Sequence, residues 1–148
     1  MIQTRTSQTL RRILFWAALC SPLNALAEIL VEDAWARATP PGARTGAIYL
    51  TLVNDGAADS LVGATTGAAD RAELHTHVHE DGMMAMRQVA AIEVPAGGEA
   101  RLRPHGDHVM LFELRGPLVT GEWINLTLEF EAGDSLTIDV PVRDGRTR

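Results

Sequence analysis

From Glu28 onward, apolar and polar residues alternate with a period of two in short runs broken by turn residues, and no stretch carries a helical period. Strands are predicted at Ile29–Trp35, Thr45–Asn54, Asp59–Ala64, Ala72–His79, Met83–Val89, Glu99–Arg103, His108–Leu114, Trp123–Glu131 and Ser135–Val142. Ala38-Thr39-Pro40-Pro41-Gly42 reads as a stiff loop that cannot join a ladder, and Asn54-Asp55-Gly56 and Ala132-Gly133-Asp134 as turns. Glu80-Asp81-Gly82 reads as the tight turn of a hairpin. About nine short strands at this spacing predict an all-β, antiparallel β-sandwich of two packed sheets. Trp35, Trp123 and Tyr49 are expected in its core. The chain shows no internal repeat or second-domain linker, so residues 28–148 are read as one domain.

The first 27 residues have a different pattern. Arg5, Arg11 and Arg12 precede the apolar run Ile13–Cys20, and Ala25-Leu26-Ala27 follows as a small-x-small cleavage site. The run is well short of the roughly 18 apolar residues of a membrane span, so a cleaved secretory signal is predicted, with the mature chain starting at Glu28. The alternatives are an uncleaved amphipathic anchor and a lipid on Cys20. Against the lipid, Leu19 stands where bacterial lipoproteins generally place a small residue.

Export alters both composition and charge. The chain's only cysteine leaves with the signal, which excludes disulfides, redox dithiols, cysteine nucleophiles and thiolate-ligated blue copper. The formal charge of −6 loses three arginines and becomes −9, a poor match for nucleic acid or anionic membrane.

The soft metal ligands are confined to one region. All five histidines (His75, His77, His79, His105, His108) and every methionine after the signal (Met83, Met84, Met86, Met110) fall between positions 75 and 110. Methionines recruited for packing would scatter over all the strands, as the leucines do. The strand period places His108 and Met110 on one face, opposite Val109 and Leu111. It likewise groups His75, His77 and His79, and groups Met84 with Met86. Thioethers are soft and uncharged, favour Cu(I) over zinc, calcium or magnesium, and need no deprotonation to bind.

The spacing His75, ten residues, Met86, twenty-one residues, His108, one residue, Met110 resembles the ligand motif of the periplasmic copper chaperones called PCuAC. Asp33–Gly42, Gly46–Leu50, Glu73-Leu74-His75, Met86–Val89 and Val94–Gly98 are also similar to that family, so the likeness covers nearly the whole mature chain. The resemblance implies a cupredoxin-like or Ig-like Greek-key sandwich with an exposed Cu(I) site whose ligands are His75, Met86, His108 and Met110. It implies a periplasmic, monomeric, non-enzymatic carrier that delivers copper to the CuA centre of cytochrome c oxidase subunit II, alone or with a thiol-bearing copper chaperone. Two features depart from the family. His77 and His79 stand where many relatives have a methionine, and that triplet suits a secondary Cu(II) or Zn(II). The C-terminal Val142–Arg148 also lacks the histidines and methionines that some relatives carry.

The register of the hairpin stays open at this point. A two-residue turn at Asp81-Gly82 sets His77 across from Met86 with His75 on the diagonal, whereas a longer loop or bulge restores the family pairing. His105 is expected to be solvated, Met83 and Met84 to pack or assist, and Glu73, Glu80 and Asp81 to be solvated acids. Two other readings compete. One is a Cu(II)- or Zn(II)-binding buffer or metal-dependent enzyme using His75, His77 and His79 with Glu73 or Glu80, which leaves the methionine spacing unexplained. The other is an Ig-like structural domain without metal.

Overall fold

The computed structural model describes residues 29–145. The signal segment, its cleavage site and Cys20 lie outside the described residues. Ten strands make up the fold: β1 (Ile29–Arg37), β2 (Thr45–Asn54), β3 (Asp59–Thr65), β4 (Ala69–Glu80), β5 (Met83–Gln88), β6 (Ile92–Val94), β7 (Gly98–Leu102), β8 (His108–Leu114), β9 (Trp123–Phe130) and β10 (Ser135–Arg143). The order β5-β4-β8-β2-β1-β10-β9-β3-β6 forms one hydrogen-bonded path, and a further β3–β4 pairing at Ala64↔Ala72 closes it into a barrel-like sandwich. β2 serves two neighbours along one edge. Its first half pairs with β8 and its second half with β7.

The alternation in β2 shows why these segments are strands. Gly46, Ile48, Leu50, Leu52 and Asn54 are buried on one face, while Ala47, Thr51 and Val53 are half-buried on the other. The inward sets of all the strands make one core, which includes Leu61, Leu74, Val109, Leu111, Leu126, Leu128 and Val140. Each such aliphatic side chain contributes roughly 1.5–3 kcal/mol on burial. Asn54 is the one inward polar residue of β2. Its amide donates to the carbonyl of Ala57 at 2.6 Å and its oxygen accepts from the Gly56 N–H at 2.9 Å, so the residue shapes the turn that follows it.

The expected count of about nine strands holds closely, and three other expectations are corrected. The described residues hold ten, the added one being Ile92–Val94, a three-residue segment too short to show periodicity. The sheet is not wholly antiparallel, because β1 runs parallel to β10 at Ala36↔Val142 and Arg37↔Arg143. Trp123 is 65 % exposed on β9. Trp35 is half-buried outside the core cluster, its ring tilted and centred 4.8 Å from that of Tyr49 across β1 and β2, and Tyr49 is itself buried, as expected. The expected loop after β1 is present and is pinned at Thr39, which donates its N–H to the Leu118 carbonyl and accepts from the Leu118 N–H through its hydroxyl, both at 2.9 Å.

Candidate metal centre

The outer face of β5-β4-β8-β2 carries the soft ligands. On β8 the inward Val109 and Leu111 are fully buried, so the period of two turns His108, Met110 and Phe112 outward. On β4 the inward Leu74 turns Glu73, His75, His77 and His79 outward. The β4–β8 register then sets His75 opposite His108 and Glu73 opposite Met110.

The hairpin between β4 and β5 decides which histidine faces which methionine. Asp81 (φ 51°) and Gly82 (φ 77°) are both left-handed, as a two-residue type I′ turn requires. His77 therefore pairs with Met86, His79 with Met84 and His75 with Gln88. No longer loop or bulge restores a direct His75–Met86 pairing. His75 is nonetheless adjacent by register to the three other predicted ligands. It lies directly across from His108, and Met86 and Met110 are its diagonal neighbours on either side, within reach of long side chains. His77 is a direct neighbour of Met86 but stands two rows from Met110's partner, Glu73.

The imidazoles have definite hydrogen-bond roles. His108 is 2 % exposed, and its Nδ1–H donates to the Gly106 carbonyl at 2.9 Å, which leaves Nε2 with its lone pair. Burial pushes the His108 imidazole below its ordinary pKa, more than the Gly106 hydrogen bond raises it, and neighbouring His77 and His75 push it the same way. It is therefore neutral and able to ligate at pH 7. His77 donates its own Nδ1–H to the same carbonyl at 3.2 Å. His75 is held from the other side: its Nε2–H donates to Glu73 Oε2 at 3.1 Å, and its Nδ1 is buried with no partner. A buried nitrogen lone pair without a donor is costly in an apolar setting and is what a metal ligand presents before its ion arrives.

Glu73 was expected to be a solvated acid and instead positions His75. Its second oxygen accepts from Arg71 Nη1 at 2.7 Å, and the Arg71 guanidinium lies 5.0 Å from the centre of the Phe112 ring. A carboxylate behind an imidazole fixes the tautomer and raises ligand basicity. The signal was present in the sequence, since Glu73 and His75 share a strand face, but acids alternating with histidines are usually just exposed. Tyr49 flanks His108 at 6.3 Å between ring centres.

The remaining residues fall around this centre. Met83, Met84 and Met86 are 71 %, 49 % and 52 % exposed, so none of them packs into the core, whereas Met110 is half-buried. His105 is exposed, as expected, but its ring lies 5.8 Å from that of His77. The triplet His75, His77 and His79 does not converge, because alternate residues of a strand stand about 6.8 Å apart. Among the described residues no three histidine, cysteine, aspartate or glutamate side chains come together to hold a metal ion.

Comparison with known proteins places this chain in a family. The family described as "Putative lipoprotein LpqE-like" matches residues 29–142. A curated relative from Leifsonia xyli subsp. xyli (strain CTCB07), "Putative lipoprotein Lxx21020", is 35 % identical over 118 residues, covering 78 % of this chain and 70 % of the relative. Among solved structures, Cu(I)-bound DR1885 from Deinococcus radiodurans is similar at a TM-score of 0.65 and 37 % identity, over 84 % of this chain and 85 % of that one. The copper-bound PCuAC domain of PmoF2 is similar at a TM-score of 0.66 and 26 % identity, over 78 % and 92 %. Family match, relative and fold agree: the chain belongs to the LpqE-like family, whose solved structural neighbours are PCuAC copper chaperone domains.

Proposed function

We propose that this protein carries one Cu(I) ion outside the cytoplasm on His75, Met86, His108 and Met110, and passes it on by ligand exchange without acting as an enzyme. The observation that carries the reading is the buried, unpartnered Nδ1 of His75, a residue on the sheet face that also carries His108 and both methionines. Two imidazoles and two thioethers make a soft, neutral set suited to Cu(I). The copper-bound neighbours support the same ion.

Each ligand has a distinct part. Glu73 holds the His75 Nε2 proton so that Nδ1 offers its lone pair, and the Gly106 carbonyl does the converse for His108, leaving Nε2 free. Met110 closes the set from β8. Met86 is the exposed ligand on β5, the edge strand of the path, so exchange begins there. An incoming thiolate displaces the Met86 thioether first, then the remaining neutral ligands in turn, while the copper stays Cu(I). The acceptor we propose is the CuA centre of cytochrome c oxidase subunit II, reached directly or through a thiol-bearing chaperone. The compartment is the periplasm, which the "lipoprotein" name of the relatives and the N-terminal pattern of the sequence both support.

The test is Cu(I) titration against a chromophoric chelator, with X-ray absorption at the copper edge. One tightly held ion with mixed sulfur and nitrogen neighbours is expected. Nitrogen and oxygen neighbours alone would overturn the assignment.

A further inference from the structure

His77 and His105 have no task in the site proposed above, yet they continue it. The rings of His75 and His108 are centred 6.0 Å apart, those of His108 and His77 5.3 Å, and those of His77 and His105 5.8 Å. These spacings have a common meaning. A metal about 2.0–2.1 Å from a ring nitrogen stands about 3.2 Å from the ring centre, so two imidazoles sharing one ion are centred about 5.2 Å apart at a tetrahedral angle and about 6.4 Å apart in a line. All three pairs fall inside that window. The four rings form a row from His105, exposed in the loop before β8, through half-buried His77 to buried His108.

Hydrogen bonding sets the middle of the row in the same sense. His77 and His108 both give their Nδ1–H to the single carbonyl of Gly106, at 3.2 and 2.9 Å, so both keep Nε2 free. His105 itself has a left-handed backbone (φ 65°), between Arg103 and Gly106, whose carbonyl and N–H close the turn at 3.0 Å.

We infer that His105 and His77 form a second, nitrogen-donor copper site at the solvent side of the thioether centre, through which the ion reaches His108 and His75. At each step one imidazole–copper bond forms as another breaks, and the ion keeps its oxidation state, so no electron donor is needed. Of the outer pair only His77 stands opposite a thioether, that of Met86, which the inner centre already uses, so the pair by itself holds Cu(I) less firmly and releases it inward. The delivery role of this pair rests on the function proposed above, but the existence of the site does not.

The informative variant is His105→Asn, because asparagine tolerates the left-handed backbone and removes only the imidazole. Two measurements on the purified protein separate the inference from the reading it rests on. In a Cu(II) titration followed by electron paramagnetic resonance, with Cu(II) as the probe of nitrogen donors, wild type and the double variant Met86→Ala/Met110→Ala should each bind one ion with nitrogen hyperfine structure, and His105→Asn should lose it. In stopped-flow transfer of Cu(I) from a chelator complex, His105→Asn should load several-fold more slowly at unchanged equilibrium affinity. Persistence of the Cu(II) signal in His105→Asn, or loading at the wild-type rate, overturns the inference. A wild type that binds Cu(II) in this way but shows no sulfur-ligated Cu(I) would sustain the nitrogen site and remove the thioether one.

Discussion

The two faces of β4 and β8 share one backbone and differ in every other respect. Inward, Leu74, Val109 and Leu111 are 3 %, 0 % and 0 % exposed and could be exchanged for other aliphatics of similar volume at modest cost. Outward, His75, His77 and His108 are held by named partners, and one nitrogen is left without any. The inner face stabilises through apolar area, which is non-directional. The outer face depends on direction: which nitrogen is protonated, and which neighbour is opposite and which diagonal. A sheet can therefore be stiff on one side and present exchangeable ligands on the other.

This separation can be broken from either side. The largest effect is expected from Leu111→Ala, which should cost about 2–5 kcal/mol in chemical denaturation while the folded fraction keeps its Cu(I) affinity. A parallel loss of affinity would show that the two faces are coupled. Met86→Ala and Met110→Ala should each lower Cu(I) affinity by about 100-fold or more, given that even the partners behind a ligand are worth about 10–100-fold. Circular dichroism should show their fold intact. If both variants keep wild-type affinity, the proposed ligand set is wrong.

Smaller effects sharpen the picture. Glu73→Ala should weaken Cu(I) binding by about 10–100-fold and free the His75 ring to change tautomer, which nitrogen NMR reads directly. Gly82→Ala should cost about 1 kcal/mol, because alanine disfavours the left-handed backbone of the hairpin, and should loosen the His77–Met86 pairing. The smallest effect is a slope in apo-protein stability with pH. The folded chain lowers the His108 pKa, so the unfolded chain binds more protons; stability should fall as pH drops below about 6.5 and level off once the folded value is passed. Urea unfolding between pH 7.5 and 5 measures it, and His108→Gln should lack that part of the slope.

Much of the fold was legible because burial imposes a period of two. Thr45–Asn54 and His108–Leu114 are strands with the boundaries the alternation predicts. Ile92–Val94 escaped because three residues cannot display a period, and the parallel β1–β10 pair escaped because strand direction is a property of two segments distant in sequence. Trp123 was misplaced for a different reason. An aromatic residue in a strand is read as core, but its position on β9 turns it toward solvent.

For the site, composition and spacing by themselves determined that the chemistry is soft, thiol-free after the predicted cleavage, and concentrated between residues 75 and 110. Ligand type is a property of single residues and survives without coordinates. Only the tertiary structure decided that the turn at Asp81-Gly82 pairs His77 with Met86. It showed that Glu73 and Gly106, each two residues from the imidazole it holds, leave a chosen nitrogen free on His75 and His108. It alone lined up His105 with His77. Those relations are set by cross-strand register and hydrogen-bond direction, which residue type by itself does not specify.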